Sequence, residues 1–577
     1  MFENQITKVK KYFKNLFTKK GVKNFFLGST TTRKIFRLYF LILLLFSILL
    51  YLPISLEPFQ HEGFAGNDFH LEYINNQYVM QLYTFDGTQW NNDVNFSFNF
   101  FDCLFTAFSA FTNTGLSLAP TNQLFSTFGK VVLMFLIQIG GFGVMFFLFL
   151  IWRLFNKKLD KVSINQILIA QSEKGNLKLG DTQKMLITSS IFILSIEFIF
   201  GLFFSLWFLK VPAYINYSPV NNDTHFTIDS SMFNSLYNNP GNAFLSGFFH
   251  SVSSINNAGF DIIGEHSLAA YRNNSNAIFL LMTTFIFVLG GIGFPVVYDV
   301  MKKFDIEKKK IILFSKFNIT FFKIKRNHKH KISLLTKIVL WTSLILAIIS
   351  IVLSFIFECT SVGGGPNYLW NDHSGAFGEG SSNLIYFNKS INIMFQALTT
   401  RSAGFSTFNN GSLNPSTKLF NIFLMYIGGA PSSTAGGIRV TTLAIVFLAI
   451  LARFAGKRNL NIFRKAIPKD NIINACIVSF IGLIILCLGG VILISNFDQG
   501  NANLDSFTNA LFVSASSFGT TGLSTISLAK LDWFSKLYLM ILMFIGQYGI
   551  SSTLLVFRRS KISTNNYQYL EEGVRIG

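Results

Sequence analysis

Four short strings in this sequence share one pattern: SAFTNTGLS (109–117), SSINNAGFD (253–261), LTTRSAGFS (398–406) and SSFGTTGLS (516–524). Their glycines, Gly115, Gly259, Gly404 and Gly522, stand 144, 145 and 118 residues apart by difference of residue number. Glycine admits backbone dihedrals closed to other residues, so a short loop built on it can turn successive carbonyl oxygens to one side. Four such loops converging on an axis would offer rings of oxygen in place of the hydration shell of a monovalent cation. A bare ion entering hydrocarbon otherwise meets a Born cost of order tens of kcal/mol. The candidate residues are Thr112, Asn113, Thr114 and Gly115; Asn256, Asn257, Ala258 and Gly259; Arg401, Ser402, Ala403 and Gly404; and Gly519, Thr520, Thr521 and Gly522, with the ion held by backbone carbonyls only.

The flanks of each string repeat as well. A short helix-compatible run precedes it: Phe101–Phe111, Phe244–Ile255, Ser390–Thr400 and Ser506–Phe518. These are too short to cross a bilayer and fit re-entrant helices whose negative ends face a cation below the loop. After each string an apolar run carries a glycine cluster: IGGFG (139–143), LGGIG (289–293), IGGAP (427–431) and IGQYG (545–549), lying 25, 31, 24 and 24 residues beyond the loop glycine. Extracellular hairpins with turn glycines would need no such matched clusters.

The third cluster is abnormal. From Met425 to Thr442 the chain reads MYIGGAPSSTAGGIRVTT, a composition that breaks a helix. Irregular backbone at membrane depth persists only where protein or a water-filled cavity satisfies it. Residues Gly428, Gly429, Ala430, Pro431, Ser432, Ser433, Thr434, Ala435, Gly436 and Gly437 are therefore expected to form a movable barrier on the cytoplasmic side of the glycine loops. A kinked helix with glycines for close packing is the alternative.

The surrounding chain fits a membrane. Of 577 residues, 50% are apolar and 13% charged, about half the charge of a soluble domain. Runs such as Leu186 to Leu209, Leu334 to Phe357 and Ile472 to Ser495 have the length a helix needs to span roughly 30 Å of hydrocarbon. The net charge of +20 is not spread as a nucleic-acid surface would be. No Lys or Arg occurs in 52–129, 211–271 or 496–529, and the positive charge gathers in the segments between. This is the positive-inside alternation, and it puts both termini and three basic loops in the cytoplasm. The expected fold is an all-α membrane protein of four helix–pore-loop–helix repeats, eight spans plus four re-entrant helices around one pore. Its parts are a basic N-terminal segment (1–34), repeats at 35–155 and 180–303, a basic loop (304–333), repeats at 334–455 and 470–558, and a C-terminal tail (559–577).

Glu197 lies mid-span, where a carboxylate is expensive and marks either function or a structural partner. Arg401, inside the third string, would repel cations from the path and is expected to turn behind the loop toward a carboxylate. His250 is expected to serve packing. Cys103, Cys359, Cys476 and Cys487 show no metal-ligand spacing, and isolated thiols are expected, a disulfide between Cys103 and Cys359 on the outer side being the alternative. Nothing resembles a catalytic constellation, and an enzyme is not expected. A secondary transporter for an organic solute would place its halves in opposite orientation, whereas these four repeats run the same way.

The pieces FHSVSSINNAGFD (249–261), TTRSAGF (399–405), FGTTGLS (518–524) and IGGAPSSTAGGIRVTT (427–442) resemble the Trk/Ktr/HKT superfamily of K+ transporters, from about Ile35 onward. The lack of extra spans before the first repeat and the ending YLEEGVRIG look more like the bacterial Ktr membrane subunit than the longer Trk one. The resemblance implies K+ uptake across a bacterial plasma membrane by a homodimer with one pore per protomer. It also implies regulation by a cytosolic nucleotide-binding RCK-type subunit. No covalent cofactor is implied; K+ is the transported ion and Na+ an optional activator, a Na+-preferring or Na+-coupled member being the alternative. Glycine in all four loops marks K+-preferring members. Many relatives carry an arginine where this chain has Gln547, and Arg439 is a candidate substitute. Basic loops could also meet anionic lipid headgroups.

Overall fold

The long apolar runs form helices that leave much of their greasy surface uncovered. Thr188–Lys210, Leu334–Cys359 and Lys469–Ile494 are each long and apolar enough to cross a membrane. They present Phe198, Trp341 and Phe480 at more than half exposure. Such surface is unfavourable in water and natural in lipid. A fourth candidate is the bent pair Ala277–Gly291 and Phe294–Lys303, which turns by 98° at its break. Tyr39–Tyr51, Phe100–Phe111, Thr127–Phe142 and Val440–Phe454 are apolar but shorter. Of the eight expected spans, the described residues thus supply up to four by length and composition.

The computed structural model describes residues 31–56, 68–74, 77–85, 90–143, 179–211, 236–263, 267–272, 276–303, 306–312, 318–324, 332–360, 382–408, 410–457, 459–495, 504–526, 528 and 531–550. The N-terminal basic segment to residue 30, the first basic loop at 144–178 and the tail from 551 lie outside them.

An outer helix, a short helix, a glycine loop and an inner helix recur four times. The outer helices are Thr31–Tyr51, Leu179–Lys210, Leu334–Cys359 and Lys469–Ile494. The short helices are Phe100–Phe111, Pro240–Ile255, Ser382–Thr399 and Leu504–Gly519, longer in the second and third units than the sequence led us to expect. The inner helices begin at Thr127, Ala277, Pro415 and Trp533. Local chemistry fixes several starts. Asn239 caps the second short helix by accepting from the Asn242 amide at 3.4 Å, with Pro240 at the first helical position. Asn99 and Asp102 form a reciprocal capping box on the first.

The glycine clusters explain how inner and short helices approach. A methyl group built on Gly140 would stand 2.0 Å from the Phe111 carbonyl oxygen, on Gly290 2.0 Å from that of Ile255, and on Gly546 1.9 Å from that of Phe518. The acceptor in each case lies four residues before the loop glycine. No side chain fits, so the near-constant spacing read in the sequence is a backbone contact repeated in units one, two and four. The last glycine of the same clusters ends or bends the helix in a left-handed conformation: Gly143 (φ +77°), Gly293 (φ +88°) and Gly549 (φ +82°). The third unit has Pro431 at that position, and its helix has already stopped at Tyr426, to resume at Val440.

The ring of units is closed between its first and last members. Lys536, in the first turn of the fourth inner helix, donates to Asp102 Oδ1 of the first short helix at 2.8 Å, both side chains buried.

The all-α expectation needs correction. Between the first outer and short helices, β1 (Asp68–Ile74), β2 (Gln77–Phe85) and β3 (Trp90–Phe98) form an antiparallel sheet in that order. Within the loop expected only to be basic, β4 (Ile306–Ile312) pairs antiparallel with β5 (Asn318–Ile324). Both places contain stretches that alternate polar with apolar residues, DFHLEY (68–73) and VNFSF (94–98) in the first and NITF (318–321) in the second, and such alternation suits strands. Reading these segments by charge and hydropathy alone overlooked their period of two.

Candidate functional site

The four loop glycines meet. A methyl on Gly115 would lie 2.4 Å from the Ala258 carbonyl oxygen, on Gly259 2.8 Å from that of Ala403, on Gly404 2.0 Å from that of Thr521, and on Gly522 2.1 Å from that of Thr114. Each glycine therefore abuts the carbonyl preceding the next glycine, and the sequence of contacts closes on itself. All four have positive φ, from +68° to +90°. A side chain at any of them would be both strained and obstructed. In three loops the residue two positions earlier also takes positive φ: Asn113 (+52°), Asn257 (+55°) and Thr520 (+49°). The four glycines line one cavity of about 390 Å3, with Asp261, Asn410 and Ser524 farther along its wall.

The break in the third inner helix lies directly against this ring. Gly436 N donates to Thr520 Oγ1 at 2.8 Å. The Asn257 side-chain oxygen accepts from Thr434 Oγ1 at 3.1 Å while its NH2 group donates to Phe287 O at 2.9 Å, and Thr434 Oγ1 also lies 3.2 Å from Gly290 O. The loop also pairs with the bent second inner helix, Ala430 N donating to Gly291 O at 3.1 Å and Phe294 N to Ser432 O at 3.1 Å. It folds on itself through Gly428 N to Ile438 O at 2.9 Å, where a methyl on Gly428 would coincide with the Gly436 carbonyl. The proposed barrier residues are thus a compact loop whose amides and hydroxyls are tied to units two and four.

A second cavity, of about 350 Å3, borders the loop. Its wall includes Gly140, Ser432, Gly437, Arg439, Asn474 and Gln547. Arg439 is half-buried here and donates through Nη1 to Ala435 O and through Nη2 to Gln547 O at 2.8 Å. The Gln547 side chain donates to Thr434 O at 3.1 Å. One guanidinium therefore fastens the loop to the fourth inner helix. Arg439 was the sequence's candidate for this part, but its bond to Gln547 O, the Gln547 bond to Thr434 O and the Thr434 and Thr520 tethers were not assigned from the sequence. They join residues 84 to 177 positions apart, a proximity that no local pattern encodes.

The isolated polar residues each find partners away from the ring. Arg401 turns away from the ring as expected, but its partner is a carbonyl: Nη1 donates to Ser343 O of the third outer helix at 3.4 Å. The expected carboxylate partner does not appear among its hydrogen bonds in the described residues. His250 is buried among Phe204, Phe279 and Phe405 and shares a 3.0 Å hydrogen bond with Thr283 Oγ1, in keeping with packing. Glu197 accepts from Gln138 Nε2 at 3.0 Å. The four cysteines are free thiols.

Helices too apolar for water, wrapped around a closed ring of glycine loops, define a helical membrane protein, and a solved structure shares its fold. The potassium transporter TrkH from Vibrio parahaemolyticus superposes with a TM-score of 0.53 over 80% of each chain at 15% identity. The family model described as TrkH, cation transport protein, matches residues 67–569. This chain belongs to the TrkH cation transport family, a family of transporters rather than enzymes. It is 34% identical to the uncharacterised cation transporter MG322 of Mycoplasma genitalium, over 95% of this chain and 98% of that one. It is 31% identical to the Ktr system potassium uptake protein B of Bacillus subtilis, over 82% and 89% respectively.

Proposed function

We propose that this chain carries K+ into the cell through the ring of Gly115, Gly259, Gly404 and Gly522, in a channel-like manner driven by the membrane potential. The observation that carries the reading is the closed sequence of glycine-to-carbonyl contacts around one cavity. Sixteen positions, four per loop, contribute backbone oxygens, and the ends of the short helices favour a cation beneath them. A potential of 100 mV supplies about 2.3 kcal/mol per charge, roughly a fifty-fold accumulation, so no coupled ion is required. The names of the Bacillus subtilis relatives, both Ktr system potassium uptake proteins, support the choice of ion.

Residues 428–437 act as the gate. The loop is tied to Thr520, Gly291 and Gln547 beside the ring and borders the second cavity, and on this reading conduction requires it to move. The Arg439 clasp takes the part that an arginine in the fourth inner helix plays in the resembling transporters. The working assembly is a homodimer in the bacterial plasma membrane, both termini cytoplasmic, with a nucleotide-binding RCK-type ring beneath it.

The test is uptake of Rb+ into vesicles holding the purified protein under an imposed potential, with Na+ and neutral solutes as competitors. Saturable Rb+ entry blocked by K+ supports the reading. Entry of Na+ in preference, or none of either ion across active preparations, overturns it.

A further inference from the structure

We infer that Glu197 is a positioning residue for the second glycine loop, acting through Gln138 on Asn256; the inference rests on the reading of the ring as an ion filter. Glu197 is on the second outer helix, Gln138 on the first inner helix, and Asn256 is the residue that ends the second short helix, three before Gly259. Gln138 Nε2 donates to Glu197 Oε2 at 3.0 Å, and Asn256 Nδ2 donates to Gln138 Oε1 at 2.9 Å and to Val252 O at 2.9 Å. The Glu197 main chain is held to the same short helix, its carbonyl accepting from Ser251 Oγ at 2.7 Å.

The direction of this chain of bonds follows from donor chemistry. A carboxyl oxygen that carries no proton only accepts, so Oε2 draws the NH2 group of Gln138 and turns that residue's oxygen toward Asn256. Asn256 must then present its own NH2 group, and its oxygen is sent the other way, against Gly141. A methyl on Gly141 would stand 2.0 Å from Asn256 Oδ1, so the amide is wedged as well as oriented. One carboxyl at membrane depth thereby sets the polarity of two amides and fixes the loop of unit two against the inner helix of unit one.

The equivalent positions in the other loops are served otherwise. Thr112 bonds back to Phe108 O at 2.7 Å and lies 2.8 Å from Thr114 Oγ1, within its own loop. Gly519 has no side chain, and Arg401 reaches Ser343 O directly. At this position, among the described residues, it is unit two that is held through a neighbouring unit, and a disturbance there reaches two of the four strands that shape the ring.

The experiment compares Na+ with Rb+ entry in vesicles for wild type, Glu197→Gln, Glu197→Leu, Gln138→Leu and the double Leu variant. Glutamine keeps an acceptor for Gln138 and should hold the Na+/Rb+ ratio near wild type. Glu197→Leu and Gln138→Leu should each raise it about two- to tenfold, the factor belonging to one hydrogen bond, and the double variant should raise it no further. Should Glu197→Leu fail to accumulate, Gln138→Leu decides, since it breaks the same chain from another helix. A wild-type ratio in both single variants, additive effects in the double, or a change confined to protein yield and thermal stability would overturn the assignment. Absence of Rb+ entry in wild type would instead sink the filter reading itself.

Discussion

The third and fourth inner helices carry the same motif at the same place and do opposite things with it. IGQYG continues as helix to Tyr548 and stops at Gly549, while IGGAP ends a helix at Tyr426 and gives way to loop until Val440. The first glycine serves close approach in both, but to different neighbours. Gly546 seats the inner helix on the Phe518 carbonyl of its own short helix, whereas Gly428 seats the loop on its own Gly436. Pro431 stands where the other clusters have a left-handed glycine, and proline's φ near −65° forbids that conformation. A continuous helix and a broken one therefore differ by one residue at the turning point and by the polar run SSTAGG that follows it.

Four variants would break or sharpen the contrast. The largest effect is expected from Gly546→Ala, whose methyl would meet backbone at 1.9 Å with nowhere to go. Overpacking of about 3 kcal/mol corresponds to roughly a hundredfold loss of Rb+ uptake per molecule, with a lowered unfolding temperature. Normal uptake would mean that the helix is not seated as described. Next, deleting residues 432–435 removes the Thr434 and Ser432 ties and should raise basal uptake about thirtyfold, from about 2 kcal/mol of lost bonds. An unchanged rate would argue against a gate.

Arg439→Gln should raise uptake about tenfold, because it loses a charge-assisted bond to the loop while the fold is retained. The result that would refute the clasp is a rate equal to wild type at equal protein density. Thr520→Val, which removes the acceptor for Gly436 N but keeps the side chain's shape, should give about a fivefold rise in the same assay. A fall in uptake would place Thr520 in the ion path instead of under the loop.

Much of this arrangement was legible because the chain says it four times. Gly115, Gly259, Gly404 and Gly522 announce themselves by spacing, and so does the broken helix, since glycine and proline act locally. What escaped the sequence lies between units. That Arg401 ends on a carbonyl of Ser343, that Arg439 bridges Ala435 to Gln547, and that Asn257 and Thr520 hold the loop all depend on which neighbours the ring brings together. The strands at 68–98 were missed for another reason, a period of two in a segment judged by its lack of charge.

The Lys536–Asp102 pair bears on how the molecule is made. Its partners are separated by 434 residues, so the carboxylate is synthesised long before its cation. At roughly 5–20 residues per second the ribosome needs between about twenty and ninety seconds to deliver Lys536. Throughout that interval the first short helix must wait near the lipid surface, or be sheltered by the insertion machinery, with a negative charge it can bury only once the last helix arrives.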